Sequence, residues 1–254
     1  MSTLTPYIPI FLLALARAGG FFAIAPVYSE QAVPRRLRYF LGVVVALAVA
    51  GKLAPVAAPA NLLGFAGLMV VEVLIGAGIG YAAKLMFAGI EMGASYVGQQ
   101  MGVSLVQAYD PSGENGSEAV STLFRLTAIV IFLAIGGHRQ LIGAMLTTFQ
   151  LVPPALAGNE QTLLATVVSL LAGSFFLALK VATPVLMALL LATAALGMLQ
   201  KSIPQVNILS TTMPVRVLLG LVVLAGSLAI LGPLVDAAWT MTQRGIADCG
   251  LVPT

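Results

Sequence analysis

Seven ionisable residues stand inside otherwise apolar stretches of this sequence: Arg17, Glu72, Lys84, Glu91, Arg125, Lys180 and Asp236. A charge in such surroundings is costly and is a functional hypothesis by default. Three kinds of chemistry are open to them. They could relay protons or ions, reach an interface by snorkelling of a long side chain, or form ion pairs, read here as pairs between subunits. Relay is the weakest, because no two carboxylates share a helical face at close spacing. Glu72 and Lys84 lie twelve residues apart, about 18 Å along a helix, so they cannot pair directly. The other five read as isolated.

Metal and covalent chemistry find little support. His138 is the single histidine and Cys249 the single cysteine. Without a second His, a Cys or a nearby carboxylate, His138 makes a poor metal ligand; it reads as an anchor or cap at a membrane boundary. One cysteine excludes an intrachain disulfide and a Cys-based cluster. No GxSxG, GxxxxGK[ST], HExxH or dinucleotide fingerprint is present, and no base partners a Ser or Thr nucleophile. The reading is a non-enzymatic chain without cofactor.

Glycine carries a different signal. Gly76 and Gly80, Gly89 and Gly93, and Gly98 and Gly102 form three GxxxG pairs within 27 residues. With 26 glycines in the chain, about two or three such pairs are expected by chance, so their clustering matters more than any one pair. Small residues let helix backbones approach closely in a membrane. They mark either ordinary close packing or a contact surface for another subunit. A second interruption, Gln200 to Asn207, breaks a long apolar pattern with Lys201, Ser202, Pro204 and Gln205, and Met213, Pro214, Val215 and Arg216 follow on its far side. It reads as the turn of a helical hairpin, with hydrogen-bonding and basic groups that also suit docking of another protein.

The elements that hold these residues are set by hydropathy. Hydrophobic residues make up 59% of the 254 positions and charged residues 8%, and mean hydropathy is +1.03. A soluble domain carries about a quarter charged residues, so this chain cannot cover a surface facing water. Stretches 53–71, 140–159, 161–179, 181–200 and 217–235 contain no Asp, Glu, Lys or Arg. Each approaches or reaches the roughly 20 residues that cross a hydrocarbon core as helix. Barrel strands would alternate apolar and polar residues, and these runs do not. The fold class is therefore all-α integral membrane protein. Net charge is only +3, with no extended basic face for nucleic acid. The densest basic cluster, Arg35, Arg36 and Arg38, reads as a cytoplasmic loop. Arg17 interrupts the first apolar run, which lacks a basic flank before it; that run reads as a retained helix rather than a cleaved signal.

Apolar segments fall at about 4–28, 37–58, 62–90, 119–137, 141–157, 162–200 and 212–242. Starting outside, the first places the arginine cluster inside, the second returns outward, the third runs inward and the fourth outward. Pro153 and Pro154 leave the fifth with about 12 helical residues, roughly 18 Å, too short to cross. Segment 162–200 then runs inward, putting Lys201 and Arg216 inside, but it is about 58 Å long as helix, with a kink expected at Pro184. Gln99 to Ser121 is the longest polar interruption, dense in Pro, Gly, Asn and Ser, and a loop of that length is functional or disordered. The misfit lengths point to a subunit of a larger assembly.

At these residues the chain resembles the FliR family of flagellar export proteins. Arg17 leads to Pro26 and Val33-Pro34-Arg35, and Glu72, Gly76 and Gly80 fit an E-x3-G-x3-G pattern. Gly98-Gln99 with Gly102, followed by Asp110-Pro111, is similar to the family's central loop. Gly136-Gly137-His138 and Pro153 also fit, and Pro204-Gln205-Val206-Asn207 followed by Met213-Pro214-Val215-Arg216 is the most specific element. Leu209 stands where an aromatic is common, and Thr148-Phe149 replaces a usual Ser-Phe.

The resemblance implies a single membrane domain of long kinked helical hairpins, with a FliP-like part over 1–160 and a FliQ-like hairpin over 161–254. It implies a subunit that joins FliP and FliQ in a closed gate of the inner membrane, at the flagellar basal body, through which unfolded flagellar proteins leave the cytoplasm. Residues 99–121 then look like a plug, with Gln99, Met101, Gly102, Val103, Leu105, Asp110 and Pro111 at its centre. Pro204, Gln205, Asn207, Pro214 and Arg216 look like part of the cytoplasmic entrance where FlhB docks, and Glu72, Gly76 and Gly80 serve helix packing. Energy for export would come from other components, since no nucleotide site is present. The equivalent subunit of a virulence secretion system differs only in cargo and partners. A small-solute transporter would need convergent polar residues at mid-membrane and often an internal repeat, and neither is convincing here.

Overall fold

The computed structural model describes residues 7–30, 33–53, 61–102, 116–154, 160–202 and 208–248. All regular structure among them is helical: α1 (Tyr7–Ile24), α2 (Arg35–Ala50), α3 (Leu62–Met101), α4 (Gly116–Ala134), α5 (Gly137–Leu151), α6 (Glu160–Ser202) and α7 (Ile208–Asp248). Among the described residues, four stretches are long and apolar enough to cross a membrane: Tyr7–Ile24, Leu62–Met101, Phe175–Ala195 and Pro214–Ala247. A fifth crossing counts if α4 and α5 form one broken span. The chain is an all-α membrane protein.

Helix length is where hydropathy and structure part. The apolar pattern of the third segment stops near Ile90, yet α3 continues to Met101 through Glu91, Ser95, Gln99 and Gln100. Polar groups end an apolar run without ending a helix, and Glu, Gln, Ala and Met are good helix formers. Gln99 and Met101, expected in the central loop, therefore belong to the last turn of α3. Gly102 terminates it at a φ of 79°, the left-handed cap geometry that favours glycine, with its N–H donating to the Gln99 carbonyl at 3.0 Å. Met213, Pro214, Val215 and Arg216 lie inside α7, which starts at Ile208, four residues before the apolar segment read from 212. Helix α6 likewise runs through Pro184 as one 43-residue element.

Packing divides the chain into two units. The first comprises Met1–Leu85, Gly136–Leu171 and Trp239–Thr254. Its core holds Ile10, Leu13, Phe21 and Phe22 of α1, Ile75 and Ile79 of α3, Leu141, Met145 and Phe149 of α5, and Trp239 and Ile246 of α7. Phe21 and Phe22 meet edge to face at 5.1 Å, and Phe22 and Tyr28 at 5.2 Å; burial raises the Tyr28 phenol pKa. Helix α2 packs on α1 through a stripe of small and branched residues, Gly42, Ala46, Val49 and Ala50, and leaves Tyr39, Phe40, Val43, Val44 and Leu47 exposed. Arg35, Arg36 and Arg38 occupy its first turns, against the helix dipole. Arg38 fastens the preceding turn by donating to the carbonyls of Glu30 and Val33.

The second unit comprises Met86–Ile135 and Ala172–Ala238. Its core is Phe87, Ile90, Val97 and Met101 of α3, Phe124, Ala128 and Phe132 of α4, Val181, Val185 and Leu189 of α6, and Leu224, Leu231 and Val235 of α7. Phe87 and Phe132 pack edge to face at 5.4 Å. Gly93 brings α3 against the Ala178 backbone of α6, where a Cβ would fall inside contact distance of the carbonyl.

Candidate functional site

Arg17 is fully buried in the first unit, and three helices close around it. Its Nε donates to Glu72 Oε2 of α3 at 2.6 Å. Nη1 donates to the Thr148 carbonyl at 3.0 Å and to its hydroxyl at 3.3 Å, and Nη2 donates to the Val152 carbonyl at 3.0 Å. The Phe149 ring lies under the guanidinium carbon at 4.5 Å, within cation–π range. The reading of Arg17 as an isolated charge is thereby corrected. Arg17 and Glu72 neutralise each other within the chain, although 55 residues separate them.

The sequence explains why α5 offers those acceptors. Pro153 disfavours the helical conformation for the residue before it, so α5 stops at Leu151 and Val152 turns to φ −122° and ψ 85°. The last carbonyls of a helix have no intrahelical donor and carry the negative end of its dipole. Arg17 supplies a donor to the Val152 carbonyl, a second donor to the Thr148 carbonyl beside the Val152 N–H at 2.9 Å, and the positive charge. The Thr148 hydroxyl itself donates to the Met145 carbonyl at 2.6 Å; a serine at this position would offer the same hydroxyl and carbonyl. This cluster fastens α1, α3 and α5 to one another.

Glycines complete the joint between α1 and α3. A Cβ on Gly76 would fall on the Arg17 carbonyl, and one on Gly20 on the Val73 carbonyl; at Gly80 it would sit 2.9 Å from the Ala25 nitrogen. The backbones touch at these points, and the Gly76–Gly80 pair faces α1. Gly78, between them, has open space around it. At the far end of this unit, Trp239 Nε1 and Gln243 Nε2 both donate to Gln140 Oε1, at 2.6 and 2.8 Å, tying the end of α7 to the start of α5.

The residues read as plug and entrance fall at the edges of the described structure. In the second unit, Met101 is fully buried and lies where a Cβ on Gly220 of α7 would meet its side chain. Gln99 is exposed, its amide donating to Ser95 Oγ at 3.4 Å. Val103, Leu105, Asp110 and Pro111 lie outside the described residues, as do Pro204, Gln205 and Asn207. Pro214 is exposed on α7, and the half-buried Arg216 keeps a buried Nε without a hydrogen-bond partner among the described residues. Nδ1 of His138 is likewise buried without such a partner. No group of three or more metal-ligating side chains occurs among the described residues.

The chain is similar to known proteins along nearly its whole length. The chain is 28% identical over 240 residues to the flagellar biosynthetic protein FliR of Pectobacterium carotovorum, covering 94% of this chain and 91% of that one. It is 26% identical to FliR of Escherichia coli strain K12, covering 95% and 93%, and 29% identical to FliR of Caulobacter vibrioides, covering 93% of each. Residues 8–242 match the family described as bacterial export proteins, family 1, and the chain belongs to that family.

Proposed function

We propose that this chain is a FliR-type core subunit of the flagellar protein-export gate in the bacterial inner membrane. It assembles with FliP and FliQ into a gated conduit for unfolded flagellar proteins, with FlhB at the cytoplasmic entrance. Family membership over residues 8–242 supports the export role, and the similarity to flagellar proteins favours flagellar over virulence secretion.

One structural observation carries the assembly. Helix α3 has 40 residues, about 60 Å at 1.5 Å per residue, and carries exposed large apolar side chains from Leu62 to Tyr81 and again at Tyr96. A hydrocarbon core covers about 30 Å. The remainder needs protein to cover it, and neighbouring subunits would supply that cover. Gating in this reading is steric. Gly102 ends α3, Met101 anchors the root of the following segment in the core, and the plug assignment stays with residues 99–121. The entrance reading assigns Pro204, Gln205, Asn207, Pro214 and Arg216 to contact with FlhB.

Co-expression of the tagged chain with FliP and FliQ, followed by affinity purification from detergent-solubilised membranes, tests the proposal. The expected result is one stable complex containing all three. A solitary, monodisperse chain that binds or moves a small solute would overturn it.

A further inference from the structure

The second unit contains a cavity of about 370 Å³ among α4, α6 and α7, within the range of small-molecule sites. Its walls are Phe124, Val181, Ile230, Leu231 and Leu234, with the Pro184 ring. Two hydroxyls reach the lining, and both already donate within their own helices. Thr183 donates to the Leu179 carbonyl at 2.6 Å, and Ser227 to the Leu224 carbonyl at 2.8 Å. The interior therefore offers hydrocarbon rather than hydrogen-bond donors.

Lys180 is different. It is an exposed cation on the lining, five residues into the apolar stretch Phe175–Ala195. Its Nζ lies over the Phe176 ring at 4.7 Å, which compensates the charge in part, and no ion pair to it occurs among the described residues. A membrane-embedded ammonium needs a fuller counter-charge or access to an interface. Pro184 adds to the polarity at this point, because it has no N–H to give the Lys180 carbonyl one turn earlier.

We propose that this groove holds one acyl chain of an anionic phospholipid, with the lipid phosphate paired to Lys180. An apolar slot with a single cation at its rim complements an amphiphile with a negative head. A polar solute would find no free hydroxyl donor inside, and an apolar side chain from another protein would leave the ammonium uncompensated. The inference needs only the membrane location of α6 and α7, not the gate assembly.

Native mass spectrometry of the purified, delipidated protein after exposure to phosphatidylglycerol or phosphatidylcholine vesicles reads the site directly. One basic residue near a membrane surface is worth about 1 kcal/mol toward an anionic lipid, so phosphatidylglycerol should be retained about fivefold over phosphatidylcholine. Lys180→Gln should abolish that preference while leaving a bound chain. Thr183→Trp, which fills the slot from its rim, should remove bound lipid of both kinds. Both positions are exposed, and circular dichroism with the thermal unfolding midpoint of both variants checks that the fold survives. Equal retention of the two lipids by the unaltered protein, or retention unchanged by both substitutions, would overturn the proposal. So would a photo-crosslinker at position 183 that labels a protein subunit instead of lipid.

Discussion

Arg17 and Glu72 meet at 2.6 Å with both side chains removed from solvent, and the same guanidinium closes the C-terminal end of α5 through Thr148 and Val152. One side chain thus reaches a buried carboxylate and two carbonyls at the end of a helix, binding three helices together. Burying such a pair is costly, and leaving half of it is costlier.

Arg17→Ala should therefore destabilise the protein by about 3–5 kcal/mol, read as a lower thermal unfolding midpoint in detergent. Glu72→Gln keeps an acceptor and leaves the α5 cap in place, so its loss should be smaller. The double substitution Arg17→Met with Glu72→Met should recover part of the stability lost in Arg17→Ala. A double variant worse than the sum of the single ones would refute the pairing as the main term.

Gly76 and Gly78 make a matched pair of tests on one helix. Gly76→Ala places a methyl against the Arg17 carbonyl, a backbone that cannot swing aside, and overpacking of this kind costs about 1–3 kcal/mol. Gly78→Ala meets nothing within 4 Å and should be neutral or stabilising by up to about 1 kcal/mol through helix propensity. Equal losses at both positions would remove the argument for backbone contact between α1 and α3.

Trp239 is the only tryptophan in the chain, which makes its environment directly visible. Gln140→Ala removes the acceptor it shares with Gln243, at a cost of about 1–3 kcal/mol for a buried donor left without its partner. Its fluorescence emission should shift to the red as the end of α7 loosens. Unshifted emission in the folded variant would show that this junction does not depend on Gln140.

Deleting residues 106–118 should raise ion conductance through the assembled gate in planar bilayers, because the segment after Gly102 is proposed to obstruct the conduit. Conductance equal to that of the intact gate would count against steric plugging.

Much of the architecture was legible in the sequence, because membrane helices announce themselves by composition. The short α5 was legible too, since Pro153 limits it by backbone sterics alone. The partnership of Arg17 with Glu72 was not. Each is a single charge in its own helix, and only tertiary packing decides whether opposite charges 55 residues apart meet; their opposite sign within two apolar helices was the one available hint. The extension of α3 to Met101 was hidden for a different reason, because hydropathy reports where a chain is oily and not where its backbone stops being helical. Residues 204–207 belong to the most specific pattern in the sequence, and the docking role proposed for them concerns a partner that a single chain does not contain.

Site-specific photo-crosslinking along α3 tests the central claim most directly. Probes at Val70, Tyr81 and Tyr96, all exposed on that helix, should give covalent adducts with FliP or FliQ in cells that assemble the gate, at one or more of the three positions. Adducts with lipid alone at every position, in a chain that remains monomeric, would contradict the account.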